Sequence, residues 1–201
     1  MALMMNKAVF LDKDGTLVEN VPYNIDPARI KIYLDVPDAL RRLKEHGFRL
    51  ILVTNQAGVA HGYFREKDLW QSNDALLEKF RKYGIRLDGL YYCPHHYNGV
   101  VPEFTVDCEC RKPKPGMLFM AAAELRITLA ESWMIGDILH DVEAGNRAAC
   151  RTILIDNGNE TEWIVNSVRT PFYKVKSMSE AADRILDHEK MRKEMEYRRY
   201  V

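Results

Sequence analysis

Charge of one sign is in short supply: 29 Lys and Arg balance 29 Asp and Glu over 201 residues. No overall field therefore draws the chain to nucleic acid or an anionic membrane, and an anionic ligand must be attracted by a local cluster of positive groups. Long apolar runs are missing too, and nothing approaches the ~20 residues needed to cross a bilayer. Met1–Phe10 is too short, and too broken by Asn6 and Lys7, for a signal peptide. The expected location is the cytoplasm, where disulfides are scarce. Cysteine is sparse, with four in all. Three of these lie close together, at 93, 108 and 110, so they need a role other than cross-linking. Repeats, low-complexity tracts and interdomain linkers are absent as well, and the length suits one domain (1–201) with a full hydrophobic core.

What is present is an alternation of strand and helix patterns. Lys7–Leu11 (KAVFL) is a short apolar run ending at acidic residues, as a buried strand does. Pro37–His46 carries Ala39, Leu40 and Leu43 at helical spacing, with Gly47 after it. Phe48–Thr54 predicts a second strand, Glu66–Tyr83 a helix with Leu69, Leu76, Leu77 and Phe80 inward, and Leu87–Tyr92 a third strand. A cysteine-containing irregular segment runs to Pro115. A helix over Met117–Leu125, a strand over Trp133–Ile135, a helix over Asp141–Ala149 and a strand over Thr152–Asp156 follow. Ser177-Met-Ser-Glu180 predicts a capping box that opens a last helix, followed by a charged tail that frays after His188. Strands alternating with helices imply an α/β three-layer sandwich around a mainly parallel sheet. In such sheets ligands bind beyond the carboxyl ends of the strands.

That rule directs attention to the residues following each strand. Asp12-Lys13-Asp14-Gly15-Thr16 comes directly after the first. A carboxylate at position 12 can act as a nucleophile, and one two residues on can protonate a leaving oxygen and then activate water. Gly15 permits the turn that brings both into one site. The same five residues also fit a plain turn or the opening of a calcium loop, although the bidentate Glu of such a loop is missing at the expected offset. After the second strand, Thr54-Asn55-Gln56 offers a hydroxyl and amides to phosphate oxygens. Lys112, past the third strand, supplies a cation. Asp137 and Asp141, after the fourth, suit magnesium, and Asp141 has the alternative role of orienting Lys112.

Cys93-Pro94-His95-His96 and Cys108-Glu109-Cys110 form two close groups of soft ligands joined by a loop. Three thiolates and one imidazole suit a closed tetrahedral zinc site, with buried free thiols or a redox pair as the alternatives. On spacing alone His95 and His96 are equivalent. Cys150, at the end of a helix, reads as a small buried apolar residue.

Taken together, DKDGT (Asp12–Thr16), VTNQ (Val53–Gln56), RKPKPGM (Arg111–Met117) and GDILHD (Gly136–Asp141) resemble the haloacid dehalogenase superfamily of phosphatases. From about Ala8 to Asp156 the chain is similar to the D-glycero-D-manno-heptose 1,7-bisphosphate phosphatases and the related histidinol-phosphate phosphatases. The resemblance implies a Rossmann-like fold with Asp12 as nucleophile, Asp14 as general acid/base, and Thr54 and Lys112 stabilising the phosphoryl group. Magnesium would be held by Asp12, the Asp14 backbone carbonyl and Asp137. Structural zinc would be held by Cys93, His95, Cys108 and Cys110, in a loop over 93–110. It also implies that Asn20, Tyr23, Asn55, Gln56 and Arg111 contact the substrate.

The intervals between these motifs leave no room for a large cap domain, so loops must set specificity. Gln56-Ala-Gly-Val-Ala60 resembles the heptose group. Two positions depart from it: Ile138 stands where those enzymes usually place lysine, and Tyr97 replaces the proline common after Cys-Pro-His-His. The expected partner is a small phosphorylated metabolite, a sugar bisphosphate in the first place, with histidinol phosphate or another phosphomonoester as the alternative. Nucleic acid and membrane are not expected partners, since no basic track or stacking platform is visible. The expected assembly is a monomer. A zinc-stabilised binding module is the reading from another class, and it leaves the strand-end polar sets without a purpose.

Overall fold

The structure, a computed structural model, describes residues 6–198. The start of the N-terminal stretch and the last three residues of the charged tail lie outside the described residues. The strands are β1 (Lys7–Leu11), β2 (Phe48–Asn55), β3 (Gly89–Cys93), β4 (Trp133–Gly136), β5 (Arg151–Ile155) and β6 (Tyr173–Val175). They form one sheet in the order β3-β2-β1-β4-β5-β6, and every neighbouring pair is parallel. The helices are α1 (Val36–Glu45), α2 (Glu66–Lys82), α3 (Gly116–Leu125), α4 (Leu139–Arg147) and α5 (Met178–Tyr197).

Side chains alternate across each strand, so successive residues feed opposite layers. Val9, Leu11, Leu50, Leu52, Ile135, Ile153 and Ile155 share a core with α1, α5 and the Leu76–Phe80 part of α2. On the other face, Ala8, Phe10, Ile51, Val53 and Met134 pack against Met117, Leu118 and Ala121 of α3. Leu154 packs against Leu139 and Val142 of α4. Because both faces are covered, the strands read as nearly unbroken apolar runs.

The boundaries differ from expectation where tertiary partners intervene. β3 starts at Gly89 rather than Leu87, because the Asp88 side chain and backbone are both engaged with Leu50 and ladder pairing opens at Gly89. Helix α4 starts at Leu139 rather than Asp141, since Leu139 is needed in the small core with Leu154. Leu77 is only half-buried, and the polar Ser72 and Asn73 take the inward positions instead. Strand β6 is additional. Helix α5 continues to Tyr197 rather than fraying after His188, with buried Glu189 ion-paired to Lys7 on β1 at 2.7 Å.

Strand order reverses between β1 and β4, each of which has its sequence neighbour on its outer side. A crevice forms above the carboxyl ends at such a point, and Asp12 and Asp137 immediately follow the two flanking strands. The segments over 12–35 and 56–65 contain loops and a short helical turn at Pro27–Arg29, with no separate cap. Among the described residues, no helix is long and apolar enough to cross a membrane.

Candidate active site and cysteine cluster

Lys112 is the organising group. It is buried, and its Nζ lies 2.5 Å from Asp12 Oδ1 and 2.6 Å from Asp141 Oδ1, while donating to the Val53 carbonyl at 2.9 Å. Burial alone would discharge this ammonium, but Asp12 and then Asp141 outweigh it and raise its pKa. The backbone of Lys112 is fixed as firmly: its N–H donates to Asn55 Oδ1 and its carbonyl accepts from Asn55 Nδ2, both at 3.0 Å.

Carboxylate oxygens of Asp12, Asp137 and Asp141 all lie within 4.8 Å of one another, and all three residues are buried. Asp137 accepts from Thr16 Oγ1 at 3.0 Å and from Asn159 Nδ2 at 2.7 Å. Burial first, then the charges of Asp12 and Asp141, push its carboxyl up to about 8. Burial likewise lifts Asp141 to about 6, opposed by Lys112. Two glycines make this crowding possible. A Cβ on Gly136 would lie 2.2 Å from the Asp141 side chain, and one on Gly15, at φ +89°, would lie 2.0 Å from Asp137 Oδ2.

Asp14 sits at the mouth of the site. Burial raises its pKa, partly countered by Lys13, whose Nζ is 3.3 Å from Asp14 Oδ2. Gln56 Nε2 bridges Asp14 Oδ2 (3.2 Å) and Thr54 Oγ1 (2.9 Å), tying the second strand end to the first. Beyond Asp14 opens a cleft of ≈ 260 Å³ whose walls include Asn20, Tyr23, Asn55, Gln56 and Arg111.

The cysteine cluster closes the end of β3. Cys93 Sγ lies 2.9 Å from Cys110 Sγ and 3.4 Å from Cys108 Sγ, and the latter two are 3.2 Å apart. His95 Nδ1 is 3.3 Å from Cys110 Sγ and 3.8 Å from Cys93 Sγ. Hydrogen bonding to Cys93 lowers the Cys110 thiol to about 5, and the same contact, helped by burial, raises Cys93. The set thus concentrates negative charge on sulfur. His96 faces away: its Nδ1 accepts from the Asn98 N–H at 3.1 Å and its ring stacks on Tyr97. Cys150 is buried among apolar side chains, and burial raises its thiol to about 12.

A family model described as HAD-hydrolase-like matches residues 109–181. The D-glycero-β-D-manno-heptose-1,7-bisphosphate 7-phosphatase of Haemophilus influenzae is 44% identical over 155 residues, covering 77% of this chain and 84% of that protein. The enzyme of the same name from Yersinia pestis is 40% identical over 170 residues, covering 80% and 90%. The chain belongs to this family of HAD-like phosphatases. A crystal structure of the D,D-heptose 1,7-bisphosphate phosphatase of B. bronchiseptica, complexed with magnesium and phosphate, has the same fold. It superimposes with a TM-score of 0.73 at 24% identity, covering 92% of this chain and 99% of that one.

In this phosphatase the residues expected from sequence converge as two groups. Asp12, Asp14, Thr54, Lys112 and Asp137 meet above the switch point, and Cys93, His95, Cys108 and Cys110 meet behind it. Asn55 and Gln56 line the cleft, yet their amides already brace Lys112 and Asp14. Three residues to which the motifs assign no role join the site: Thr16, Asn157 and Asn159. Asn159 positions Asp137, and Asn157 Nδ2 donates to the Gly15 carbonyl at 2.7 Å. Both asparagines lie just past β5, so the strand-end rule extended to that strand finds them.

Proposed function

We propose that the chain removes the 7-phosphate of D-glycero-D-manno-heptose 1,7-bisphosphate through an aspartyl-phosphate on Asp12. The observation that carries this is the buried Lys112 ammonium shared between Asp12 and Asp141, with Asp137 alongside. It supports a site built to hold a phosphoryl group against a carboxylate, and the names of the relatives supply the sugar. Histidinol phosphate or another small phosphomonoester is the alternative substrate. The decisive experiment measures phosphate release with magnesium from the heptose bisphosphate, histidinol phosphate and a 3′-phosphorylated oligonucleotide. The bisphosphate is expected to lead by about a hundredfold or more in kcat/KM. Faster turnover of histidinol phosphate would overturn the sugar assignment and leave the phosphatase standing.

The donor set fits a divalent cation: hard carboxylate oxygens, buried, in excess over the single ammonium. Magnesium, held by Asp12, the Asp14 carbonyl and Asp137, supplies charge neutralisation at the phosphoryl oxygens when bound. Asp12 Oδ forms the new bond to phosphorus as the bond from phosphorus to the C7 oxygen breaks. Asp14, whose pKa burial raises, gives its proton to that oxygen. Lys112 and Thr54 hold the equatorial oxygens. Asp14 then takes a proton from water, which attacks phosphorus, releases phosphate and restores Asp12. Asn20, Tyr23, Asn55, Gln56 and Arg111 form the sugar's side of the cleft. The chain acts as one domain over 1–201, a cytoplasmic monomer with no nucleic-acid or membrane partner.

Three sulfurs and one ring nitrogen, with a charge-rich Cys110, fit zinc in a closed structural site. Zinc there would stiffen the loop carrying Arg111, whereas Lys112 is independently clamped by Asn55. Purified protein should therefore contain about one zinc per chain, as structural sites of this kind do. Its removal by a chelator, with magnesium restored, should raise KM roughly five- to tenfold while kcat moves less than about threefold. Elemental analysis and steady-state kinetics check this, and a metal-free protein with unaltered KM would contradict it.

A further inference from the structure

If the substrate carries two phosphates, one must be held away from Asp12. On the β4 side the residue that follows Asp137 is the apolar Ile138. Among the residues walling the cleft beyond Asp14, Arg111 is the one cation. One of its nitrogens, Nη1, donates to the His95 carbonyl at 3.3 Å, which fixes the guanidinium and leaves other N–H groups to spare.

Two histidines lie on this side of the site: His96 follows His95, whose carbonyl holds Arg111, and His61 meets the cleft residue Tyr23. The rings of His61 and His96 are 4.7 Å apart between centroids. His96 uses Nδ1 as an acceptor from Asn98, so its proton sits on Nε2, a free donor. An Nε2–H donor and a guanidinium with N–H groups to spare together suit the oxygens of an anion.

The scaffold around them is well defined. Tyr23, which walls the cleft, meets Tyr63 edge-on at 4.7 Å and His61 at 6.2 Å. The loop carrying His61 is pinned to the segment after the cysteine cluster, since the Ala60 carbonyl accepts from the N–H groups of Val100 (2.7 Å) and Val101 (3.0 Å). The histidines therefore approach Arg111 from loops that also brace each other.

We infer that His61 and His96 Nε2 complete Arg111 into a seat for the phosphate that is not cleaved. The chain thereby anchors the far end of its substrate from the loops after β2 and β3 instead of from the start of α4. This rests on the bisphosphatase reading given above.

The test compares the heptose 1,7-bisphosphate with the 7-monophosphate of the same sugar, in the wild type, His61→Ala and His61→Lys. In His61→Ala the ratio of kcat/KM values, bisphosphate over monophosphate, is expected to fall roughly tenfold, the loss of one charge-assisted contact. The fall should be carried by KM on the bisphosphate. His61→Lys, which supplies a charged N–H donor, should regain most of it, whereas a purely structural role for the imidazole would not be rescued. A ratio unchanged in His61→Ala, or not regained in His61→Lys, overturns this inference while leaving the phosphatase intact. Wild-type protein that hydrolyses neither ester overturns the underlying reading, and the anion seat with it.

Discussion

Asp12→Asn is expected to lower turnover by about ten-thousandfold or more, because the amide cannot form the acyl-phosphate on which both halves of the reaction depend. The substitution is isosteric, and Lys112 keeps Asp141 at 2.6 Å and the Val53 carbonyl at 2.9 Å. The fold should therefore survive, and the variant should still bind substrate. Rapid-quench measurements with labelled substrate should detect phosphoenzyme in the wild type and none in the variant. A variant that retains activity within about a hundredfold would remove Asp12 from the role of nucleophile.

Lys112→Met should be nearly as severe for a different reason. It deletes the buried ammonium that faces Asp12, and a loss of roughly a thousandfold in kcat is expected, with a smaller change in KM. It also leaves Asp12 and Asp141 buried without a partner. Burial already holds Asp141 up at about 6 against the opposing pull of Lys112, so its pKa rises further in the variant. A carboxyl whose folded pKa exceeds its unfolded value of 3.8 makes folding weaker as pH climbs from the lower value to the higher one. Thermal melts in the absence of added metal should therefore show the variant losing more stability, relative to wild type, at pH 8 than at pH 5. An equal loss at both pH values would mean that the ammonium does not compensate these carboxylates.

Much of the fold was legible because each central strand is an apolar run that stops at a polar residue. Val9, Leu50 and Ile135 fall in strands that the apolar runs predict without tertiary information. The strand-end rule then singled out Asp12, Thr54, Lys112 and Asp137. What escaped had no local signal. Strand β6 is three residues long, shorter than any pattern can reveal. The charged stretch after His188 looks like a solvated tail, yet Glu189 is buried against Lys7 from the opposite end of the chain. Asn159 is an ordinary loop residue until the fold sets it against Asp137. His61 and His96 are 35 positions apart in the sequence and adjacent only through packing. Asp141, which reads in the sequence as a magnesium carboxylate or as the group that orients Lys112, lies 2.6 Å from the Lys112 ammonium, a contact that only the fold creates.

The paired hydrogen bonds between the Asn55 amide and the Lys112 main chain have an evolutionary corollary. They fasten the ammonium to β2, whatever happens in the excursion over 94–110. Descendants of such a chain can therefore remodel or shed that excursion, cysteines included, trading one metabolite for another while the reaction itself stays untouched.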